Sequence, residues 1–515
     1  MRNPLTLTKN KVRGCVVLGG IVLGCVALAG AALLAQNPDG TRVRPASAGP
    51  AEPPHTRTSE VGWRLAPADD KFAAIDGAHL KTYVGELTAM ARRYRDNGHP
   101  QFWGRIIGTS ADAENADWLM AKLRTLGLAD VHEQTFDLPP QWMPRSWSVT
   151  LAANGKTLAI DTAQPTYQAV ATPPDGLDLE AVWAGMASDA DLKLARDVRG
   201  KAVFFYSTDT ASRHAPIADN AIRRIGERGA AAIFVVQGIP GNERTQFYPV
   251  NSAVPTFSTG LKDGLAARDL IADATSAGGA PHAKVRLTVD HTAGLKSGTV
   301  WATLPGSTDE QVMVVAHRDG WFEGANDNAA GVATLLGIAE YFAKVPKAER
   351  RRTIVFLGTT GHHNSTAESG AWLAAHPETF DKTALLVNCE HTGGVETGPG
   401  TIRQANAVAA FSWYATGQTL ADITVRAMDA FGVPSFPQSS PSPPGEIGRY
   451  YRYAPSVQII NGGYVWHSDQ ETAETISAGG LAAVTRAYAK VIADTDGIDL
   501  KAMRQSIAPR RSPVQ

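Results

Sequence analysis

Residues able to hold a metal ion cluster in VMVVAHRDGWFEGANDNAAG, from Val312 to Gly331. The stretch carries His317, Asp319, Glu323, Asn326, Asp327 and Asn328. Imidazole and carboxylate suit zinc, and an Asp two residues beyond a His can orient the ring through its other nitrogen. Apolar Val312–Ala316 reads as a buried strand that delivers His317 and Asp319 into a loop. VATLLGIAEYF reads as the following helix, which puts Asp327 close to a helix N-terminus. Taken alone, the same residues also fit a solvated loop that holds a His and two Asp.

Three more apolar runs end in the same way. TIVFLGTTGHH gives His362 and His363, ALLVNCEHTGG gives Glu390 and His391, and SVQIINGGYVWHSDQET gives His467, Ser468 and Asp469. From Gly298 to about Asp494 such strands alternate with helical patterns. That alternation predicts an α/β domain with a mostly parallel sheet flanked by helices and function at the carboxyl ends of its strands. In such a sheet these ends converge, so four that each finish in a His or carboxylate point to a metal site.

The rest of the chain sets the frame. Its 515 residues suffice for two or three domains, and 43% hydrophobic and 19% charged residues with a net charge of -1 describe globular material. There is no basic excess and no Lys/Arg cluster with interleaved aromatics, which excludes a nucleic-acid binder. Cys15 and Cys25 lie in the N-terminal apolar stretch, and Cys389 is alone in the globular part, where it reads as core packing. A disulfide framework and a cysteine zinc site are thereby excluded. Arg2, Lys9, Lys11 and Arg13 precede an uncharged apolar run from Gly14 to Ala35. Residues 1–36 therefore read as a signal peptide or an uncleaved membrane anchor, with the rest of the chain outside the cytoplasm: periplasmic, secreted, or held to the outer face of the inner membrane. Residues 37–68, rich in Pro, Ala, Gly, Ser and Thr, read as a linker. Helical patterns over Asp76–Leu128 break at Asp96–Thr109, and Val131–Phe136 reads as a strand. Residues 139–289 change texture to short strands and turns around GKAVFFYS, AAAIFVV and AVPTFST, the pattern of a smaller α/β module with no evident catalytic cluster. The tail, 496–515, is Pro/Arg-rich.

The AHRD and GANDNAAGVA segments, with RIIGTSADAENADWLMAKLRTLGL upstream, resemble the dizinc exopeptidases of metallopeptidase family twenty-eight. This family includes bacterial leucyl aminopeptidases, carboxypeptidase Q, glutamate carboxypeptidase II and glutaminyl cyclases. The likeness runs over about residues 75–495. It implies a zinc exopeptidase fold in two pieces, 69–138 and 290–495, with a protease-associated domain inserted at 139–289. It also implies two zinc ions per chain and hydrolysis of a peptide or related amide. Carried over by position, His317 and Glu390 hold one ion, Asp327 bridges, and His363 and His467 hold the second, while Asp319 orients His317. The family usually shows two adjacent Glu where this chain has His362 and His363. His362 thus stands at the place of the general base, with Glu323 and Glu368 the nearest uncommitted carboxylates. His391, Tyr450, Tyr451 and Trp466 are expected to face substrate; for the GRYYRY stretch a surface hairpin is the alternative. Two other functions stay open: a non-catalytic binding protein on this fold, as the transferrin receptor is similar to these peptidases, and a metal-dependent amidase or acyl transferase with a non-peptide substrate. Oligomeric state is not readable.

Overall fold

The computed structural model describes residues 65–507, save 196, 209–215, 240, 364–370, 394–409, 439–441 and 464. Strand Gln311–His317 lies inside an eight-stranded sheet, and its side chains explain the position. Val312, Val314 and Ala316 face a core shared with Leu80, Val84 and Leu87 of helix Gly77–Asp96, Leu335 and Ile338 of helix Gly331–Ala343, and Leu481 and Val484 of helix Ala478–Thr495. Met313 and Val315 face the opposite core, with Trp372, Phe380 and Ile447. A strand buried on both faces reads as a continuous apolar run, and each large apolar side chain so buried contributes roughly 1.5–3 kcal/mol.

Across this sheet the strands run in the order Ser435–Pro437, Phe411–Ala415, Ser456–Ile460, Thr383–Asn388, Gln311–His317, Thr353–Thr359, Lys296–Leu304 and Ala129–Asp137. The four from Ser456–Ile460 to Thr353–Thr359 are mutually parallel. Lys296–Leu304 and Ala129–Asp137 add antiparallel, as does Phe411–Ala415 on the other side. The expected mostly parallel sheet is therefore mixed, with a parallel centre. Parallel neighbours need long crossovers, which the helices between them supply.

The central region, 141–292, builds a second eight-stranded sheet of its own. Its middle strands, Leu177–Trp183, Ala202–Ser207, Ala232–Gln237 and Thr256–Thr259, are parallel, and the long strands Gln141–Ala153 and His282–Thr292, far apart in the chain, extend it antiparallel. Both sheets belong to one compact unit.

Among the described residues no helix is long and apolar enough to cross a membrane. The proposed export segment at 1–36, most of the linker, Glu368 and the end of the tail lie outside the described residues.

Candidate metal centre

His317 ends its strand opposite Thr359, the last residue of the parallel neighbour. From there the loop is anchored from behind by two buried arginines. Arg318 donates to the Asp112 carboxylate, to Asp112 O at 2.8 Å and to Gly298 O at 2.6 Å. Arg105 donates to Arg318 O at 3.1 Å, Glu323 O at 2.6 Å and Gly324 O at 3.0 Å. Burial pulls the Arg105 guanidinium down to about 10, against the pull of Asp319 and Glu471. The loop then enters helix Gly331–Ala343. A Cβ on Gly331 would lie 2.2 Å from both Asn328 Oδ1 and Cys389 O, so only glycine fits where the loop crosses the neighbouring strand end.

Five side chains surround the buried carboxylate of Asp327. Its Oδ1 lies 3.1 Å from His317 Nε2. Its Oδ2 lies 3.0 Å from His363 Nε2, 2.7 Å from His467 Nε2 and 3.1 Å from His391 Nε2. Trp466 donates its indole N–H to the same oxygen at 2.6 Å. Glu390 Oε1 faces His317 Nε2 at 3.9 Å and His362 Nε2 at 3.6 Å. Its other oxygen is already held, by Asn388 Nδ2 and by Glu446 N, each at 2.8 Å. Asp319 stands behind two rings: Oδ1 is 3.5 Å from His317 Nδ1, and Oδ2 is 3.3 Å from His363 Nδ1 and accepts His363 N at 3.1 Å.

Several of these atoms are buried without a hydrogen-bond partner: both nitrogens of His317, both of His391, His362 Nδ1, and Asp327 Oδ1. Lone pairs that face one another at about 3 Å without hydrogen-bond alignment are what a shared cation between them produces. Bonds of about 2.0–2.2 Å place neighbouring tetrahedral ligands roughly 3.3–3.5 Å apart. The residues therefore fit zinc in donor type and spacing, and three overlapping triads have donor atoms within 4.8 Å: His317, Asp319 and His363; His317, His362 and Glu390; and Asp327, His363 and His467.

Electrostatics give the same reading. Burial would raise the carboxyls of Asp319 and Asp327, yet the surrounding imidazoles hold both well below the usual range. Burial likewise opposes charge on His317 and His363, but Asp319 and Asp327 lift His317 well above its ordinary value and His363 to about 9. His362 is the exception: burial and the neighbouring His317 and His363 keep it well below, hence neutral. Protons on the rings and a bound cation are alternative ways to compensate one set of carboxylates, so metal uptake should release protons.

His317, Asp319, Asp327, His362, His363, Glu390 and His467 are thus brought together, and His391 and Trp466, expected to face substrate, turn inward onto Asp327. Tyr450 and Tyr451 are corrected. Tyr450 is buried in the core beside Phe380 and Ile447, because the turn Glu446–Arg449 rotates it away from the strand ends. Tyr451 points outward to Ser442 Oγ at 3.3 Å, with Arg452 on its hydroxyl at 2.9 Å. The GRYYRY stretch is a helical turn, so the hairpin alternative fails too.

Other contributors carry no sequence signal of their own. Glu471 accepts Asn326 N at 2.8 Å, Asp327 N at 2.6 Å and His467 N at 2.8 Å. Burial and the nearby Asp327 push its carboxyl up to about 7. That tie fixes His467 in the left-handed backbone region, at φ 60°, a conformation costing about 1–3 kcal/mol elsewhere. Glu446 is fully buried and accepts the Thr359 hydroxyl. The inserted region also reaches the site. Gln246 N donates to His467 O at 2.9 Å, and Arg244 N and Nε donate to the Asp469 carboxylate at 3.1 and 3.3 Å. This seam sets the Tyr248 ring 5.1 Å from His467 and 5.1 Å from Trp321.

A sheet that gathers imidazoles and carboxylates at the ends of its parallel strands can hold metal ions there. Residues 299–492 match the model of peptidase family M28. No curated protein matches the chain. Among solved structures, BSAP, a zinc aminopeptidase from Bacillus subtilis, is similar at 16% identity and a TM-score of 0.60 over 82% of this chain and 95% of that one. A peptidase M28 precursor from Shewanella amazonensis gives 18% and 0.60 over 85% and 99%, and an aminopeptidase from Aneurinibacillus sp. strain AM-1 gives 15% and 0.55 over 87% and 98%. At these identities the likeness is one of fold.

Proposed function

We propose that the chain is a metal-dependent peptidase that hydrolyses peptide or related amide bonds as an exopeptidase, with two zinc ions per chain. The observation that carries this is Asp327, whose two oxygens face two separate sets of ring nitrogens, His317 on one side and His363 with His467 on the other. Glu390 Oε1 completes the first set.

Bound divalent ions supply the chemistry of the class, polarising a scissile carbonyl and bringing a water to an ionisable state near neutral pH. The chain's own residues orient and shield. Asp319 fixes the rings of His317 and His363 through their Nδ1 atoms, Glu471 fixes the backbone on both sides of Asp327 and at His467, and Trp466 holds Asp327 Oδ2. Tyr248 and Trp321 exclude water from the flank of His467. Removal of an N-terminal residue is the preferred direction, since two of the similar folds are aminopeptidases. The inserted sheet is read as a protease-associated domain, and the basic-then-apolar start of the chain supports export.

One observation favours a second reading, a binding protein on the same fold: the family's usual carboxylate pair is replaced by His362 and His363. Metal content per chain, measured beside turnover of aminoacyl and acylated amino-acid amides, separates the two. About two zinc with turnover supports the peptidase. Two zinc without turnover of any amide counts against the peptidase, and absence of both metal and turnover refutes it and leaves the binding protein.

A further inference from the structure

We infer that His362 is a ligand of the first metal ion rather than the general base, so that the first ion is enclosed by protein donors and only the second keeps a position open to substrate. The inference rests on the metallopeptidase reading above.

A histidine base needs one nitrogen aimed at the water and the other held by an orienting group. His362 has neither arrangement. Its Nδ1 is buried without a hydrogen-bond partner, and its Nε2 faces Glu390 Oε1 at 3.6 Å. The ring lies nearly parallel to His317, 4.2 Å between centroids and 18° between planes, so both Nε2 atoms converge on the same carboxylate oxygen. With His317 and Glu390 its donor atom forms a triad within 4.8 Å, and only 12% of the side chain is exposed. The Glu390 oxygen in question is the one that Asn388 and Glu446 leave unengaged. Asp327 Oδ1, 3.1 Å from His317 Nε2, supplies a fourth donor.

Four protein donors are the complement of a closed zinc site, whereas a catalytic site offers three and leaves one position open. His317, His362, Glu390 and Asp327 Oδ1 make the first set. His363, His467 and Asp327 Oδ2 make the second, a triad within 4.8 Å that His391 Nε2, although 3.1 Å from Asp327 Oδ2, does not join. The two halves of the cluster are thereby unequal in a way that a Glu at position 362, kept off the ion as a base, would not make them. The neighbouring carboxylates are mostly committed: Asp319 holds two rings, Glu471 accepts three backbone N–H groups, Glu323 pairs with Arg92 at 2.9 Å, and Glu446 accepts from Thr359 through Oε1, with Oε2 buried and unpartnered. Imidazole enrichment also favours zinc, cobalt or nickel over magnesium and manganese, which prefer oxygen donors.

The test is metal retention by the full chain. Zinc-loaded wild type, dialysed against a graded series of chelator, should lose one ion per chain readily and keep the other. In His362→Ala the retained ion should weaken by more than the roughly 100-fold that loss of an outer-shell partner gives. His363→Ala should instead remove the readily lost ion. Should His362→Ala fail to fold, the cobalt-substituted wild type answers by NMR: four paramagnetically shifted imidazole N–H resonances, from His317, His362, His363 and His467, against three if His362 does not ligate. Two ions held equally well by His362→Ala and wild type, or three resonances, overturn the assignment while leaving the metallopeptidase reading intact. Wild type that binds no metal overturns both.

Discussion

Replacing Arg318 by Met asks whether the metal loop is held from behind. The guanidinium is fully buried and its charge partner, Asp112, is nearly so. Met keeps much of the volume but leaves the Asp112 carboxylate with only Ser297 Oγ, at 2.5 Å, and Gly108 N, at 2.8 Å, as strong donors. Breaking one side of a buried pair costs about 3–5 kcal/mol, because a charge stays behind without compensation. Gly298 O and Asp112 O also lose their donor, which places Arg318→Met near the upper end of that range. Asp112→Asn leaves the arginine with the half-buried Glu133, at 3.5 Å, as its remaining carboxylate. The double variant removes both charges, so its cost should fall short of the sum of the singles by roughly 2–3 kcal/mol, the upper part of the range for directly interacting pairs. Equilibrium urea denaturation of the three variants at saturating zinc reads these values. Because Arg318 stands between His317 and Asp319, zinc affinity should drop about 10–100-fold in Arg318→Met. A cost below about 1 kcal/mol, strict additivity, or unchanged zinc affinity would refute the reasoning.

Other expectations are simpler to state. Gly445 sits at φ 79°, and a Cβ there would lie 2.4 Å from Glu390 Oε2, so Gly445→Ala should displace Glu390 and lower both first-ion affinity and turnover about tenfold or more, read by metal titration and initial rates. Tyr248→Ala should raise KM several-fold in initial-rate measurements, since the ring walls the site. Chelation should lower the denaturation midpoint, and zinc but not magnesium should restore it, by about 4 kcal/mol at a thousandfold excess over Kd. Mass determination of the mature N-terminus should show loss of the segment ending near residue 36 if it is a signal peptide, and its retention if it is an anchor.

What could be read in the sequence, and what could not, divides along a physical line. His317, Glu390 and His467 were legible because each follows an apolar run long enough to be a buried strand, and strand ends of a parallel sheet meet whatever else the fold does. The same logic extended the sheet only as far as strong apolar runs go: the weakly apolar strands Phe411–Ala415 and Ser435–Pro437, which add antiparallel at one side of the sheet, carry no such run. Arg105, Glu471 and Tyr248 act through contacts made by side chains far apart in the chain, and no local pattern marks them. Tyr450 shows the converse, an aromatic beside the right loop whose direction is decided by one helical turn.

His362 is the most instructive case. Alignment with a family assigns a position, and the position assigns a role only if the side chain keeps its direction. A Glu that reaches toward water and a His that lies flat against His317 can share one place in the sequence, yet the second spends its lone pair on the neighbouring carboxylate's side of the site, 3.6 Å from Glu390. Substitution there therefore changes more than the strength of a base. It moves a donor from the substrate side to the ion side, makes the cluster richer in nitrogen, and leaves the second ion, with His363, His467 and Asp327, as the place where substrate chemistry must be done.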